Sequence, residues 1–312
     1  MNMKIIVTGD TVPPRLKDYC HSVEIDVELL NGVNTPAEIK LAIADADYYL
    51  LGGDEYLSKE ILENAAVLQS ISFLGTGPES FVDVDVARAR GVTVLTTPGA
   101  NAGTVAEFAV GQVLGIRRRI LSDIAGTSAV TRDSAELRES TVGILGLGAV
   151  GTELARILRN GFGCEVSYSS RTRKPEIEKE LGIQKLGLRE LFERSSTVFI
   201  CCSLTESTEG LIGAALLQAG VDYVVSIADP RVFVLSELAE SLAQGHLLCV
   251  ALDGDYTQYP DISADSLRLL DLQRNSKLFV TQHIAASSDR AWFRMRERAV
   301  DNLINAIGSK VR

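Results

Sequence analysis

Val142-Gly143-Ile144-Leu145-Gly146-Leu147-Gly148-Ala149-Val150-Gly151 is an apolar run that breaks into G-x-G-x-x-G and continues as the helical pattern Thr152 to Asn160. Each glycine has its own task in that setting. Gly146 permits a tight turn, Gly148 lets the backbone approach a pyrophosphate, and Gly151 lets the following helix pack against the strand. Ala149 and Val150 open the helix, where unpaired N–H groups and a partial positive charge attract phosphate. The stretch reads as the first βαβ unit of a Rossmann-type sheet with a dinucleotide as its ligand. A glycine-rich turn without a ligand is the plainer alternative.

The next strand, Glu165 to Ser169, runs into Ser170-Arg171-Thr172-Arg173-Lys174. A carboxylate at this point binds the ribose 2′-hydroxyl of NAD and repels the 2′-phosphate of NADP. Here Ser170 and Thr172 offer hydroxyl groups instead. Arg171 offers a bidentate contact and a flat guanidinium to stack on adenine. NADP(H) is the expected cofactor, and a solvated basic loop is the alternative.

The chain has 312 residues, 46% apolar and 23% charged, with a net charge of −10. Its size suits about two domains, each with a sizeable core. The acidic balance argues against nucleic acid and anionic membrane surfaces as partners. Cys20, Cys164, Cys201, Cys202 and Cys249 form no C-x-x-C and read as thiols in a reducing cytoplasm. Neither a signal peptide nor an apolar run of ~18 residues is evident, and no metal is expected.

Strand and helix patterns alternate along the first hundred residues: strands at Met3–Thr8, Val23–Leu30, Ala46–Leu51, Ser70–Leu74 and Val92–Leu95, and helices opening at Thr35-Pro36, Ser58 and Asp83. This is an α/β half of flavodoxin-like character. Pro98-Gly99-Ala100-Asn101 interrupts it, and an amphipathic helix is expected from Thr104 to about Leu121. Further strands at Thr141–Leu145, Glu165–Ser169, Thr197–Cys202, Tyr223–Ile227, Leu248–Leu252 and Leu278–Thr281 predict a doubly wound parallel sheet, and Ser288 to Ile307 a last helix.

With these landmarks the chain resembles the D-2-hydroxyacid dehydrogenase family over nearly its whole length. The matching features are Gly75-Thr76-Gly77, Asp83, Pro98-Gly99 with Asn101 and Val105-Ala106-Glu107, the glycine loop, Leu204-Thr205, Leu252-Asp253 and His283-Ile284-Ala285. The stretch Tyr168 to Leu181 is similar to NADP-using glyoxylate and hydroxypyruvate reductases. The resemblance implies a substrate domain of residues 1–98 and 287–312, a dinucleotide-binding domain of residues 99–286, hinges near Pro98 and Ala286, and a homodimer. It places Ser203 and Asp253 with the cofactor, and the backbone amides of Thr76 and Gly77 with an anionic part of the substrate.

The family's chemistry uses an arginine that binds the substrate, a histidine that transfers the proton, and a glutamate that supports the histidine. His283 matches the histidine. Counting back from Gly245 puts Asp229 at the arginine position, and counting forward from Leu252-Asp253 puts Tyr256 at the glutamate position. An anion there would repel a keto acid. Arg231 and Asp255 are the residues that could restore the family pattern, each through a local irregularity, since neighbouring positions ordinarily face different ways. The reading that follows is an NADP(H)-dependent oxidoreductase with an altered active site, with His283, Asp229 and Tyr256 catalytic and a substrate other than a simple 2-keto acid. A nucleotide-binding protein without turnover, acting as a sensor or interaction partner, is one alternative. A conventional glyoxylate or hydroxypyruvate reductase using Arg231 is the other.

Overall fold

A computed structural model describes residues 3–53, 55–127, 134–254 and 263–309, leaving aside the side chains of Ser80 and residues 263–268. The chain divides into two compact units, Met1–Asn101 with Ser288–Arg312, and Ala102–Ser287.

The first unit holds a parallel five-stranded sheet of β1 (Lys4–Thr8), β2 (Asp26–Leu30), β3 (Tyr48–Leu51), β4 (Ser70–Phe73) and β5 (Thr93–Leu95), ordered β2-β1-β3-β4-β5. That is the flavodoxin-like order. Strand β3 is buried along its length, as a parallel strand covered on both faces should be. Ile6, Ile39, Tyr49 and Ile71 fill one side of the sheet; Ile5, Leu16 and Tyr48 fill the other, with Met295, Val300 and Leu303 from the helix Asp289–Gly308. Helix Pro36–Ile43 starts as its sequence says it should. Thr35 caps it, Pro36 occupies its first turn, and Glu38 completes a capping box.

The helix Asp289–Gly308 also holds the segment that leads out of the first unit. Arg294 Nε donates to the Ala100 carbonyl at 2.7 Å, Arg298 Nη1 to that of Pro98, and Asn302 Nδ2 to that of Thr96 at 2.9 Å. The donors recur every four residues on the helix and the acceptors every two along the segment.

The second unit holds β6 (Thr141–Leu145), β7 (Glu165–Ser169), β8 (Gln184–Lys185), β9 (Thr197–Ile200), β10 (Tyr223–Ser226), β11 (Cys249–Asp253) and β12 (Leu278–Thr281), ordered β12-β11-β10-β9-β6-β7-β8, all parallel. This is the doubly wound order with one added strand, and the reversal lies between β6 and β9. Beneath β9 and β10 sits a buried cation. Arg117 donates to Thr197 Oγ1 at 2.7 Å and to the Glu136 carbonyl at 2.6 Å, and its guanidinium lies 5.0 Å from the centre of the Tyr223 ring.

Two expectations need correction. The helix expected from Thr104 to Leu121 runs instead over Ala102–Arg117, turns at Arg119 in the left-handed region, and resumes as Ile120–Ile124. Leu121 folds back onto Gly115, where an added Cβ would stand 2.8 Å from Leu121 Cγ, so the helix cannot run straight through. The buried face of Ala102–Arg117 recurs at three- and four-residue spacing, from Ala102, Val105 and Ala106 to Val113, Ile116 and Arg117, with Gln112 and Gly115 widening it. The strand expected from Val23 starts at Asp26, because Val23 closes a helix, Pro14–Ser22, that the sequence reading did not foresee. No helix among the described residues is long and apolar enough to cross a membrane.

Candidate active site

Because every strand of the second sheet points the same way, the segments that leave them share one edge. In order across that edge stand His283 after β12, Asp253 and Gly254 at β11, Asp229 to Arg231 after β10, Cys201 to Ser203 after β9, the glycine loop after β6, and Ser170 to Lys174 after β7. Ligands of doubly wound sheets bind at this edge, over the reversal in strand order.

The glycine loop is built to admit a pyrophosphate. Gly146 has φ of +99°, and a Cβ there would stand 2.7 Å from Cys202 N. On Gly151 a Cβ would stand 2.1 Å from the Gly146 carbonyl oxygen. Both positions require glycine for close approach. At Gly148 the opposite holds, with nothing within 4 Å of an added Cβ, so the glycine leaves open space in front of the helix. Gly148 is the N-cap of the helix Ala149–Phe162 and has no side chain with which to satisfy the first N–H groups, those of Ala149 and Val150 among them. These features fit an anion held by backbone donors.

The Gly146 amide donates to the Ser169 carbonyl at 2.8 Å, tying the glycine loop to the end of β7. Beyond it the Ser170 hydroxyl donates to the Thr172 carbonyl at 2.6 Å, which shapes the turn. Arg171 and Thr172 are exposed. Ser203 is exposed after β9, and its carbonyl accepts from the Thr208 hydroxyl at 2.8 Å.

Asp253, expected beside the cofactor, is bonded within its own unit. It is 5% exposed, and its carboxylate is turned toward the 281–285 segment. Its Oδ1 accepts from Thr281 Oγ1 at 2.6 Å and from the Ile284 amide at 3.0 Å, and its Oδ2 accepts from the Ala285 amide at 2.8 Å. Gln112 Nε2 donates to Thr281 Oγ1 at 3.3 Å, extending the chain of contacts to the helix Ala102–Arg117. Inside this clamp His283 takes φ of +53° and is exposed. A left-handed histidine needs surroundings that over-determine it. The bonds to Ile284 and Ala285, immediately after it, supply them.

Asp229 and Arg231 are brought together. A short 3-10 turn, Pro230–Val232, follows Asp229, whose carboxylate caps it by accepting the Arg231 amide at 2.9 Å. The Arg231 side chain returns to the same carboxylate, Nε to Oδ1 at 3.0 Å and Nη2 to Oδ2 at 2.8 Å. The expected bare anion is therefore replaced by a bidentate ion pair, closed across the short turn that Asp229 itself caps. Asp229 is the more buried, at 15% side-chain exposure against 37% for Arg231. Pro230 packs against Gly254, where an added Cβ would stand 3.2 Å from Pro230 Cδ, and the Gly254 amide donates to the Thr281 carbonyl at 3.0 Å. The ends of β10, β11 and β12 thus form one connected surface. Asp255 and Tyr256 lie outside the described residues.

Thr76 and Gly77 belong to the first unit, exposed after β4. The Gly75 carbonyl beside them is fixed by the Thr97 amide at 2.7 Å.

Residues 116–285 match the family model described as D-isomer specific 2-hydroxyacid dehydrogenase, NAD binding domain. The chain belongs to this family. It is 28% identical to a glyoxylate reductase of Aeropyrum pernix, across 99% of this chain and 94% of that protein. It is 30% identical to a glyoxylate/hydroxypyruvate reductase B of Citrobacter koseri, across 84% of this chain and 82% of that protein. A crystal structure of a Thermus thermophilus protein superposes with a TM-score of 0.79 at 26% identity, covering 98% of this chain and 97% of the other. As a member of the D-2-hydroxyacid dehydrogenase family the chain is an oxidoreductase and takes a nicotinamide dinucleotide. Sequence reasoning missed the Asp253 clamp and the Asp229–Arg231 pair. The first had a signal, since Thr281 and Asp253 end adjacent strands; the second had only Pro230, which favours a turn.

Proposed function

We propose that the protein is an NADP(H)-dependent reductase of a carbonyl or imine carbon whose substrate presents a neutral polar group, rather than a bare carboxylate, to the end of β10. The observation that carries this reading is the bidentate Asp229–Arg231 pair. An arginine already bound along one edge to a carboxylate has less to offer a second carboxylate. With the pyrophosphate of the dinucleotide held at the glycine loop, its nicotinamide would supply or accept the hydride. His283, exposed and held by the Asp253 clamp, is the proton donor in this reading. Thr76 and Gly77 amides serve an anionic group elsewhere on the substrate, and Gly146, Gly148, Ala149, Val150 and Gly151 serve the pyrophosphate. Ser170, Arg171 and Thr172 favour the 2′-phosphate, since no carboxylate ends β7. Tyr256 stands in this proposal as the partner of the histidine.

Residues 1–98 with 287–312 are assigned to substrate and 99–286 to nucleotide. A homodimer in the cytoplasm completes the proposal, and the five free cysteines suit a reducing compartment.

The test is Asp229→Ala, assayed as NADPH oxidation over glyoxylate, hydroxypyruvate, and neutral aldehydes and imines. Releasing the guanidinium should raise kcat/KM for the keto acids by about tenfold, the worth of one charge-assisted hydrogen bond, and lower it for the neutral substrates. A wild-type protein that turns over glyoxylate at about 10 s⁻¹, with Arg231→Ala abolishing that activity, would establish the conventional reductase instead.

A further inference from the structure

The loop after β7 is held in shape largely by residues on either side of it. Glu178, in the helix Pro175–Leu181, accepts from Arg173 Nε at 3.1 Å and 2.9 Å through its two oxygens, and from Arg173 Nη2 at 2.8 Å. The same carboxylate accepts the Tyr168 hydroxyl at 2.9 Å. Tyr168 is a wholly buried residue of β7, and its phenolic oxygen in turn accepts the Lys174 amide at 2.8 Å. One carboxylate, 11% exposed, therefore holds the C-terminal end of the loop twice, Arg173 through its side chain and Lys174 through the Tyr168 phenol, which ties that end back to β7.

This changes the inventory of cations. Arg173 is neutralised by Glu178 and is a brace rather than a ligand. Lys185, opposite Tyr168 in the β7–β8 register, donates from Nζ to the Arg171 carbonyl at 3.3 Å. It brings to the loop a positive charge that the loop's own sequence does not contain. Among the described residues Arg171, Lys174 and Lys185 have no carboxylate within salt-bridge distance. A phosphomonoester carries about −1.5 to −2 charges at neutral pH, which such a set can balance.

We propose that Glu178 is a positioning residue for cofactor choice: by holding Arg173 and the Tyr168 hydroxyl it fixes the loop so that Arg171, Lys174 and Lys185 receive a phosphomonoester on the adenine ribose. The inference rests on the NADP(H) reading above. It differs in sign from simple electrostatics. An anion that only stood near a bound phosphate would repel it, and its removal would tighten NADPH binding. A brace does the reverse.

The experiment measures dissociation constants for NADPH and NADH, and for adenosine 2′,5′-bisphosphate against adenosine 5′-monophosphate, in wild type, Glu178→Gln, Tyr168→Phe, Arg171→Ala and Glu178→Gln/Arg171→Ala. Glu178→Gln should weaken NADPH and the bisphosphate by about tenfold, the worth of a lost charge-assisted contact, and NADH by less than about twofold. Tyr168→Phe should shift the same ratio in the same direction. On the Arg171→Ala background Glu178→Gln should add less than about twofold, because both act on one contact. Retained NADH binding shows that the fold is intact. Tighter or unchanged NADPH binding by Glu178→Gln, or equal weakening of both cofactors, overturns the inference. If Arg171→Ala abolishes a wild-type preference for NADPH while Glu178→Gln and Tyr168→Phe leave it, the cofactor reading stands and this inference falls. If wild type binds NADH as tightly as NADPH, both fall.

Discussion

Asp253 is 5% exposed, and its carboxylate is turned wholly toward the segment after β12. Its three accepted hydrogen bonds all come from the segment that carries His283. Asp253→Ala leaves the Ile284 and Ala285 amides without their acceptor and releases the left-handed His283. Loss of these bonds should cost about 1–3 kcal/mol of stability. It should also lower kcat by about tenfold or more, with NADPH affinity changed by less than about threefold. A collapse of NADPH binding with kcat preserved would instead make Asp253 a cofactor ligand. At this scale the sequence was legible wherever a residue type is forced by backbone geometry. Gly146 and Gly151 stand where the motif put them, each against backbone that leaves no room for a side chain. It was not legible where two side chains choose each other. Asp229 and Arg231 are joined across the 3-10 turn at Pro230, and nothing in the spacing of the two residues tells a carboxylate that caps and pairs from one left bare.

Among elements, the strands were readable because parallel strands buried on both faces are short apolar runs, as Tyr48–Leu51 and Thr197–Ile200 are. The helix Pro14–Ser22 was not, because only Leu16 and Cys20 of it are buried and its pattern is too sparse to show a stripe. Strand β8 has two residues, too few for any period. The helix Ala102–Arg117 ends on a cation whose environment is mostly neutral. Burial pulls the Arg117 pKa down, and the neighbouring Tyr223 and Asp222 oppose the shift. Arg117→Ala strips the Thr197 hydroxyl and the Glu136 carbonyl of their partner and leaves a void under Tyr223. The second unit should lose about 2–4 kcal/mol in a denaturant titration. Arg117→Lys keeps the charge but not the fork, and should recover less than half of that. An unchanged midpoint in Arg117→Ala would show the buried cation to be dispensable.

For the molecule as a whole, four carboxylates share one direction of response to acid. Arg173, and then Tyr168, hold Glu178 below the ordinary carboxylate range; Arg156 does so for Glu180, the Thr35 amide and hydroxyl for Glu38, and Lys40 for Glu60. A depressed folded-state pKa means that the unfolded chain binds more protons. The stabilisation is present above the unfolded carboxylate range and is lost as pH falls through the depressed folded values. The Tm should be level from about pH 8 to 5 and fall below about pH 4.5. Because the Lys40–Glu60 and Arg156–Glu180 ion pairs lie at the surface, ~1 M salt should shrink their part of the effect. A Tm that rises on acidification would contradict the assignment.

The helix Asp289–Gly308 has a consequence for synthesis. It supplies Met295, Ala299, Val300 and Leu303 to the first unit's core, the Ala299 carbonyl to the buried Ser72 hydroxyl 227 positions earlier, and the three donors that hold residues 96–100. On the ribosome the chain grows from its N-terminus at about 5–20 residues per second. The strands made first must therefore wait, incompletely covered, while all of the second unit is translated. The order of folding is inverted relative to the order of manufacture: the nucleotide unit has its own strands to hand first, and the earliest segment to emerge is the last to be sealed.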